Sequence, residues 1–280
     1  MAGSKPRPGM SWGASALGVL ALVAALFGVV LAGLWWGQEK LLFVPTVLPP
    51  DRVLARADDI HETRIAVPGA QLSALHLRLP DPKGVVFFLH GNAGNLESWF
   101  VSPDYYRQAN YDLFMIDYRG YGKSSGSIDS EAQLHADVRA AWDSIAARYV
   151  GRKRVLYGRS LGSGLAARLA VELPGGEAPD LTVLVSPYSS VLALTAQHYP
   201  WVPQQLLRYP LRTDALVDRI PNRLLLIHGE RDALIGASHS LALQALAPHA
   251  QLLLVPGAGH NDLQEFAVYL DGLARALGAL

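Results

Sequence analysis

The chain of 280 residues contains no cysteine. That excludes a disulfide, a thiol nucleophile and a thiolate-bound metal, and it leaves the redox compartment open. Net charge is missing too. Lys+Arg and Asp+Glu both number 24, for a formal net charge of +0, so nothing draws the chain electrostatically to nucleic acid. The local basic run Arg152-Lys153-Arg154 reads as a solvated strand entry. No H-E-x-x-H occurs: His61-Glu62 has no second histidine four residues on. A zinc-protease reading therefore fails, and neither a metal nor a cofactor is expected. Internal repeats and low-complexity tracts are likewise absent.

What is present in quantity is apolar surface, 50% of the residues, enough for one sizeable core. Its distribution is uneven. Gly9 to Gln38 carries no charged residue, and Ala14 to Trp36 is almost wholly apolar. That is close to the ~20 residues a bilayer core requires. Trp35 and Trp36 close the run where an aromatic belt would sit. Val30-Leu31-Ala32 offers a weak signal-cleavage site, but the apolar run continues beyond it through Leu34. The expectation is an uncleaved anchor. Lys5 and Arg7 precede it, and Lys40, Arg52 and Arg56 follow it, a near tie. A short basic leader before a first span usually stays inside, which puts the globular part on the outer, periplasmic side. The expected layout is a tail over residues 1–13, a transmembrane helix over 14–36 and a single globular domain over 37–280.

Beyond a Pro-containing linker, Gln38 to Pro50, strands alternate with helices. Glu62–Val67 and Leu72–Leu79 read as a hairpin about Pro68-Gly69. Short apolar runs at Val85–Leu89, Leu113–Ile116, Val155–Tyr157, Leu181–Val185, Leu224–Ile227 and Leu252–Val255 read as strands buried on both faces. Helices are expected over Leu96–Gln108, Glu131–Tyr149, Leu161–Leu173, Ser238–Leu246 and Asp262–Leu277. This alternation predicts an α/β fold, a mostly parallel sheet with helices on both faces. Residues 188–212, rich in aromatics and proline, break the pattern. They read either as a cap over the sheet's C-terminal edge or as ordinary surface packing.

Gly158-Arg159-Ser160-Leu161-Gly162 is a G-x-S-x-G motif, entered by a strand and left by an apolar helix. That is the context of a nucleophile elbow, with Ser160 exposed at a helix N-terminus on a strained turn. The overlapping Gly162-Ser163-Gly164-Leu165-Ala166-Ala167 mimics a dinucleotide fingerprint. The next strand ends Val185-Ser186 without the acid that would hold a ribose, so the match is a decoy. His260 lies in a glycine-flanked loop after the last strand, and Asp232 follows the strand before it. Glu230 and Asp262 compete with Asp232 as the acid. The order Ser160, Asp232, His260 is that of a hydrolase triad. The turn His90-Gly91-Asn92-Ala93-Gly94-Asn95 can supply the Asn92 N–H as partner to the Leu161 N–H in an oxyanion hole. His90 and His228 are expected to bond locally.

Together these motifs resemble the α/β-hydrolase superfamily. The resemblance is closest to its serine aminopeptidase-like and depalmitoylase-like branch with an N-terminal membrane anchor. The matching pieces are Phe87 to Asn95, Asp117 to Gly126, Gly158 to Gly162, His228 to Asp232, Gly259 to Asp262 and the stretch Gln38 to Pro45. Where that branch usually has D-x-x-[IV]-P, this chain has Asp232-Ala233-Leu234-Ile235-Gly236. The resemblance implies a serine hydrolase acting on an acyl, lipid-like ester or thioester. A serine peptidase or amidase, and a non-catalytic membrane-anchored binding protein of the same fold, are the alternatives. The small-molecule or lipid-like acyl substrate and the membrane are the expected partners, and nucleic acid is not.

Overall fold

The computed structural model describes residues 12–280, so most of the expected tail, with Lys5 and Arg7, lies outside the described residues. The first element, α1 (Trp12–Leu42), is longer than the expected span. From Ser15 to Leu42 it is long and apolar enough to cross a membrane, and none of its most apolar stretch is buried against the protein. The linker expected from Gln38 is therefore helical as far as Leu42. Beyond it, Val44–Pro45 pairs in parallel with Ala93–Gly94, and Thr46 N–H donates to the Gly94 carbonyl.

The domain is built on an eight-stranded sheet: β1 (Ile60–Val67), β2 (Ala70–Leu77), β3 (Gly84–Leu89), β4 (Tyr111–Ile116), β5 (Lys153–Arg159), β6 (Leu181–Val185), β7 (Arg223–Gly229) and β8 (Gln251–Val255). Its spatial order is β8-β7-β6-β5-β3-β4-β2-β1. The β1–β2 hairpin and the β2–β4 pair are antiparallel, and every other pairing is parallel. Strands β3 to β6 are apolar runs because both of their faces are covered. On one face Phe87, Phe114, Leu156 and Leu184 pack beneath α4 (Glu131–Ala146), which contributes Trp142, and α5 (Leu161–Glu172). On the other, Val86, Met115, Tyr157, Val183 and Ile227 meet α3 (Pro103–Ala109) and α8 (Ala267–Gly278).

Two expected helices are broken. Leu96–Gln108 divides into α2 (Leu96–Trp99) and α3, because Pro103 occupies the first turn of α3 and cannot donate back into a continuous ladder. Asp262–Leu277 begins as a 3₁₀ turn, Leu263–Glu265, and α8 proper starts only at Ala267. Residues 188–212 hold α6 (Val191–His198) and a 3₁₀ turn, Gln204–Leu206, while α7 (Ser238–Leu246) has the predicted bounds. Part of the 188–212 segment belongs to the core, since Tyr209 is fully buried and meets Phe43 edge-on at 5.2 Å. Consecutive parallel strands release their C-terminal loops along one edge of the sheet, and that edge carries the candidate site.

Candidate active site

Ser160 follows β5 with φ +52° and ψ −118°, a conformation that non-glycine residues rarely adopt. The turn is tight enough that its flanking glycines are steric necessities. A Cβ on Gly158 would overlap the Gly162 carbonyl, and one on Gly162 would overlap the Leu89 carbonyl. The Ser160 N–H donates to the Val185 carbonyl of β6 at 2.9 Å, which pins the elbow to the sheet. The Ser160 side chain makes no capping bond to α5 and is left facing the cleft.

His260 Nε2 lies 3.1 Å from Ser160 Oγ, and His260 Nδ1 lies 2.7 Å from Asp232 Oδ2. The Asp232 carboxylate is wholly buried, and the His260 ring is only slightly exposed. Burial alone would raise the Asp232 pKa. The imidazoles of His228 and His260 and the Ile235 N–H outweigh it and hold the carboxyl below the usual range. The other oxygen, Oδ1, accepts from the Leu234 N–H at 3.0 Å and the Ile235 N–H at 2.8 Å. These bonds close the Asp232 turn although Gly236 stands where the related pattern has proline. An ionised Asp232 accepts only, so His260 Nδ1 carries the proton and Nε2 is free to accept from the Ser160 hydroxyl.

The competing acids are elsewhere. Asp262 does fold back, but Oδ1 accepts from the Gly259 N–H at 2.7 Å and not from the His260 ring. Glu230 is exposed to solvent. His228 is fully buried. Its Nε2 lies 2.7 Å from the Ile235 carbonyl and 3.4 Å from Asp232 Oδ2, and its Nδ1 lies 2.6 Å from Ser240 Oγ. It thus braces the turn, as expected from the sequence, and also touches the acid, which was not expected.

The backbone N–H groups of Asn92 and Leu161 make no hydrogen bond to another described residue. The Asn92 side chain is held apart from its own N–H: Oδ1 accepts from the Tyr121 hydroxyl at 3.0 Å and the Val44 N–H at 3.3 Å. Gly91 leaves room for Trp99: a Cβ there would stand 2.9 Å from the indole ring and displace it. Beneath this loop His90 is buried, and its pKa is lowered to about 4 by desolvation. Its Nε2 lies 3.7 Å from Asp117 Oδ1, whose carboxyl burial pushes up to about 7 against the opposing Leu96 and Lys123 N–H donors.

Two residues at the cleft carried no usable sequence signal. Arg159 sits at a variable position of G-x-S-x-G. Its guanidinium donates to the His260 carbonyl at 2.9 Å and to Gln264 Oε1 at 3.1 Å, and lies 5.5 Å above the Trp99 ring. It therefore ties the His260 loop to β5. Trp99 donates from Nε1 to the Ala93 carbonyl at 2.7 Å and stands against the glycine turn. Arg159, Asn261 and Gln264, but none of Ser160, Asp232 and His260, line a cavity of about 760 Å³, whose wall mixes Phe88, Tyr157 and Tyr269 with Ser98, Asp104 and Gln108.

A strand–elbow–helix serine, an acid and a histidine on the C-terminal loops of one such sheet define the α/β-hydrolase class. The chain belongs to that superfamily. Residues 80–213 match the family described as Serine aminopeptidase, S33. Alpha/beta hydrolase domain-containing protein 17B of Xenopus tropicalis is 31% identical over 212 residues, covering 73% of this chain and 70% of its own. An uncharacterized protein of Mycobacterium tuberculosis is 34% identical over 278 residues, covering 94% of this chain and 95% of its own. Among solved structures, a Pyrococcus furiosus esterase superposes with TM-score 0.65 at 18% identity, over 84% of this chain and 98% of that one. Est1E from Butyrivibrio proteoclasticus, solved with ferulic acid bound, gives TM-score 0.62 at 17% identity, over 78% of this chain and 96% of that one.

Proposed function

We propose that the protein is a membrane-anchored serine hydrolase that cleaves an acyl ester or thioester through an acyl-enzyme. The observation that carries this reading is the contact chain Ser160–His260–Asp232 on a strained elbow. In the first half-reaction His260 Nε2 takes the Ser160 proton as Oγ attacks the carbonyl carbon. The N–H groups of Asn92 and Leu161 stabilise the oxyanion, and the imidazolium is held by Asp232. His260 then protonates the leaving alcohol or thiol. Water, activated by the same histidine, attacks the acyl-Ser160 ester and releases the acid.

The cavity reaches Arg159 and Asn261, the chain neighbours of Ser160 and His260, without being lined by either; its Phe88, Trp99, Tyr157 and Tyr269 wall is what supports an acyl group as the substrate's recognised part. The apolar length of α1 supports a single-pass anchor. The basic leader supports an outer, periplasmic domain.

The test is labelling with a fluorophosphonate probe, followed by turnover of p-nitrophenyl esters of graded chain length. Wild-type protein should label, and Ser160→Ala should not. Undiminished labelling of the variant would overturn the nucleophile assignment.

A further inference from the structure

The segment after β6 presents a surface that the reaction does not use. From Val191 to Leu207 there is no Asp, Glu, Lys or Arg. Its tip, Tyr199-Pro200-Trp201, is exposed, with half of the Trp201 surface accessible (50%). That ring packs against α1, with its centroid 6.5 Å from that of Phe27.

The relative height of tip and helix is fixed by a polar collar. Gln38 Nε2 donates to the Leu206 carbonyl at 2.9 Å, and Gln38 Oε1 accepts from the Arg208 N–H at 2.7 Å. Glu39 accepts from the Tyr209 hydroxyl at 2.8 Å and pairs with Arg208 at 2.7 Å. The Arg208 guanidinium lies 5.8 Å above the Trp35 ring. About 20 helical residues fill a bilayer core of ~30 Å. Counted from Ser15 they end near Leu34, which leaves Phe27 ~10 Å inside the edge at the helical rise. Trp201 shares that depth, which is where interfacial segments sit.

The backbone of the tip is suited to such a place. Unpaired amide groups are costly in lipid. Here the N–H groups of Tyr199, Val202, Leu206, Leu207 and Arg208 donate within the protein, and Pro200 and Pro203 have none; those of Trp201, Gln204 and Gln205 bond to no described residue, which limits the segment to the hydrated boundary and keeps it out of the hydrocarbon core.

We propose that residues 196–207 form a second membrane contact, with Tyr199 and Trp201 entering the acyl–headgroup boundary beside α1. This rests on the reading of α1 as an anchor. It also determines how the site faces its substrate. Val44, two residues beyond α1, bonds to the Asn92 side chain, so the Ser160 cleft is tethered to the end of the helix that leaves the bilayer. At the helical rise Leu42 stands ~12 Å beyond the bilayer edge near Leu34, so a membrane-borne acyl chain must be drawn out that far to reach the cleft.

The absence of cysteine makes a depth measurement straightforward. Single variants Val23→Cys, Tyr199→Cys, Trp201→Cys and Val150→Cys of the full chain are nitroxide-labelled and reconstituted in phosphatidylcholine vesicles. Collisions with oxygen and with a water-soluble nickel chelate are compared by paramagnetic resonance. Val150 is the aqueous reference: it is 78% accessible and precedes β5, at the opposite end of that strand from Ser160. The expected result is loss of nickel accessibility at 23, 199 and 201 but not at 150. Lipid-like behaviour at 23 with full nickel accessibility at both 199 and 201 overturns the proposal and leaves the anchor intact. Nickel accessibility at all four positions overturns both. Fluorophosphonate labelling of each variant reads the hydrolase assignment separately.

Discussion

At the scale of single residues the site rests on one buried carboxylate. Asp232 fixes which nitrogen of His260 carries the proton, so Asp232→Asn should present the wrong tautomer to Ser160. The expected fall in kcat is on the order of 10⁴, measured on one activated ester. Asp262→Asn loosens only the Gly259 N–H bond and should cost about tenfold or less, the value of one hydrogen bond. Glu230→Gln, on an exposed side chain, should leave turnover unchanged. A collapse in Asp262→Asn beside normal turnover in Asp232→Asn would reverse the assignment.

A second residue-scale prediction follows from the His90–Asp117 pair under the 91–95 turn, together with His76, which is buried elsewhere against Tyr149 and Asp112. His76 and His90 have folded pKa values lowered by burial to about 3 and about 4, so below pH 6.5 the unfolded chain binds their protons first. Stability therefore rises with pH from about 4 to 6.5 on their account. Asp117 acts oppositely. Its carboxyl is raised to about 7, so the folded state holds an extra proton between pH 3.8 and 7 and loses that advantage as pH rises. Asp117→Asn removes this opposition. The rise in stability between pH 4.5 and 6.5 should steepen by about 1.4 kcal/mol per pH unit. Denaturant midpoints of the detergent-solubilised variant at several pH values measure it. An unchanged slope would mean that Asp117 is ionised throughout.

At the scale of elements, legibility followed locality. The elbow, the glycine turn after β3 and the histidine loop are each written in consecutive residues, because tight turns demand glycine where a Cβ would collide. The order Ser160, Asp232, His260 could be read because parallel strands deliver their loops to one edge. What the sequence concealed are contacts between distant segments. Nothing local in Val44-Pro45-Thr46 announces that it pairs beside the Asn92 loop, and Gln38 to Pro50 therefore read as a plain linker. Arg159 was equally hidden, since its partners lie in another loop, and so was the contact of His228 with the acid, although its bracing of the turn was expected. The break between α2 and α3 had a signal in Pro103, outweighed by apolar periodicity on either side. The linker pairing gives an element-scale prediction. Thr46→Pro deletes the N–H that bonds the Gly94 carbonyl at 3.1 Å. The loop carrying Asn92 should loosen, lowering kcat by about tenfold, one hydrogen bond's worth, with little change in KM. A change confined to KM would assign the strand to substrate binding.

At the scale of the whole molecule, the proposed anchor and the domain are expected to separate in stability and to couple in function. The most apolar stretch of α1 is unburied, so removing α1 takes only the partly buried Leu42 from the margin of the core and the buried Gln38 from the collar. The bonds lost with Gln38 and Glu39 leave Arg208, the Tyr209 hydroxyl and the Leu206 carbonyl open to water. Arg208 and Glu39 are both partly exposed, and such a pair contributes about 1 kcal/mol or less. Phe43 must stay, because it is buried against Tyr209. A truncated protein beginning at Phe43 should therefore fold, stay soluble and hydrolyse a water-soluble p-nitrophenyl ester at the full-length rate. Its rate on a long-chain ester dispersed in vesicles should fall, because the tether no longer supplies a high local concentration of bilayer-borne substrate. Comparing the two rates for both proteins at equal enzyme concentration isolates this effect. An equal loss on both substrates would mean that α1 supports the catalytic loops directly. No loss on either would mean that the substrate reaches Ser160 from water.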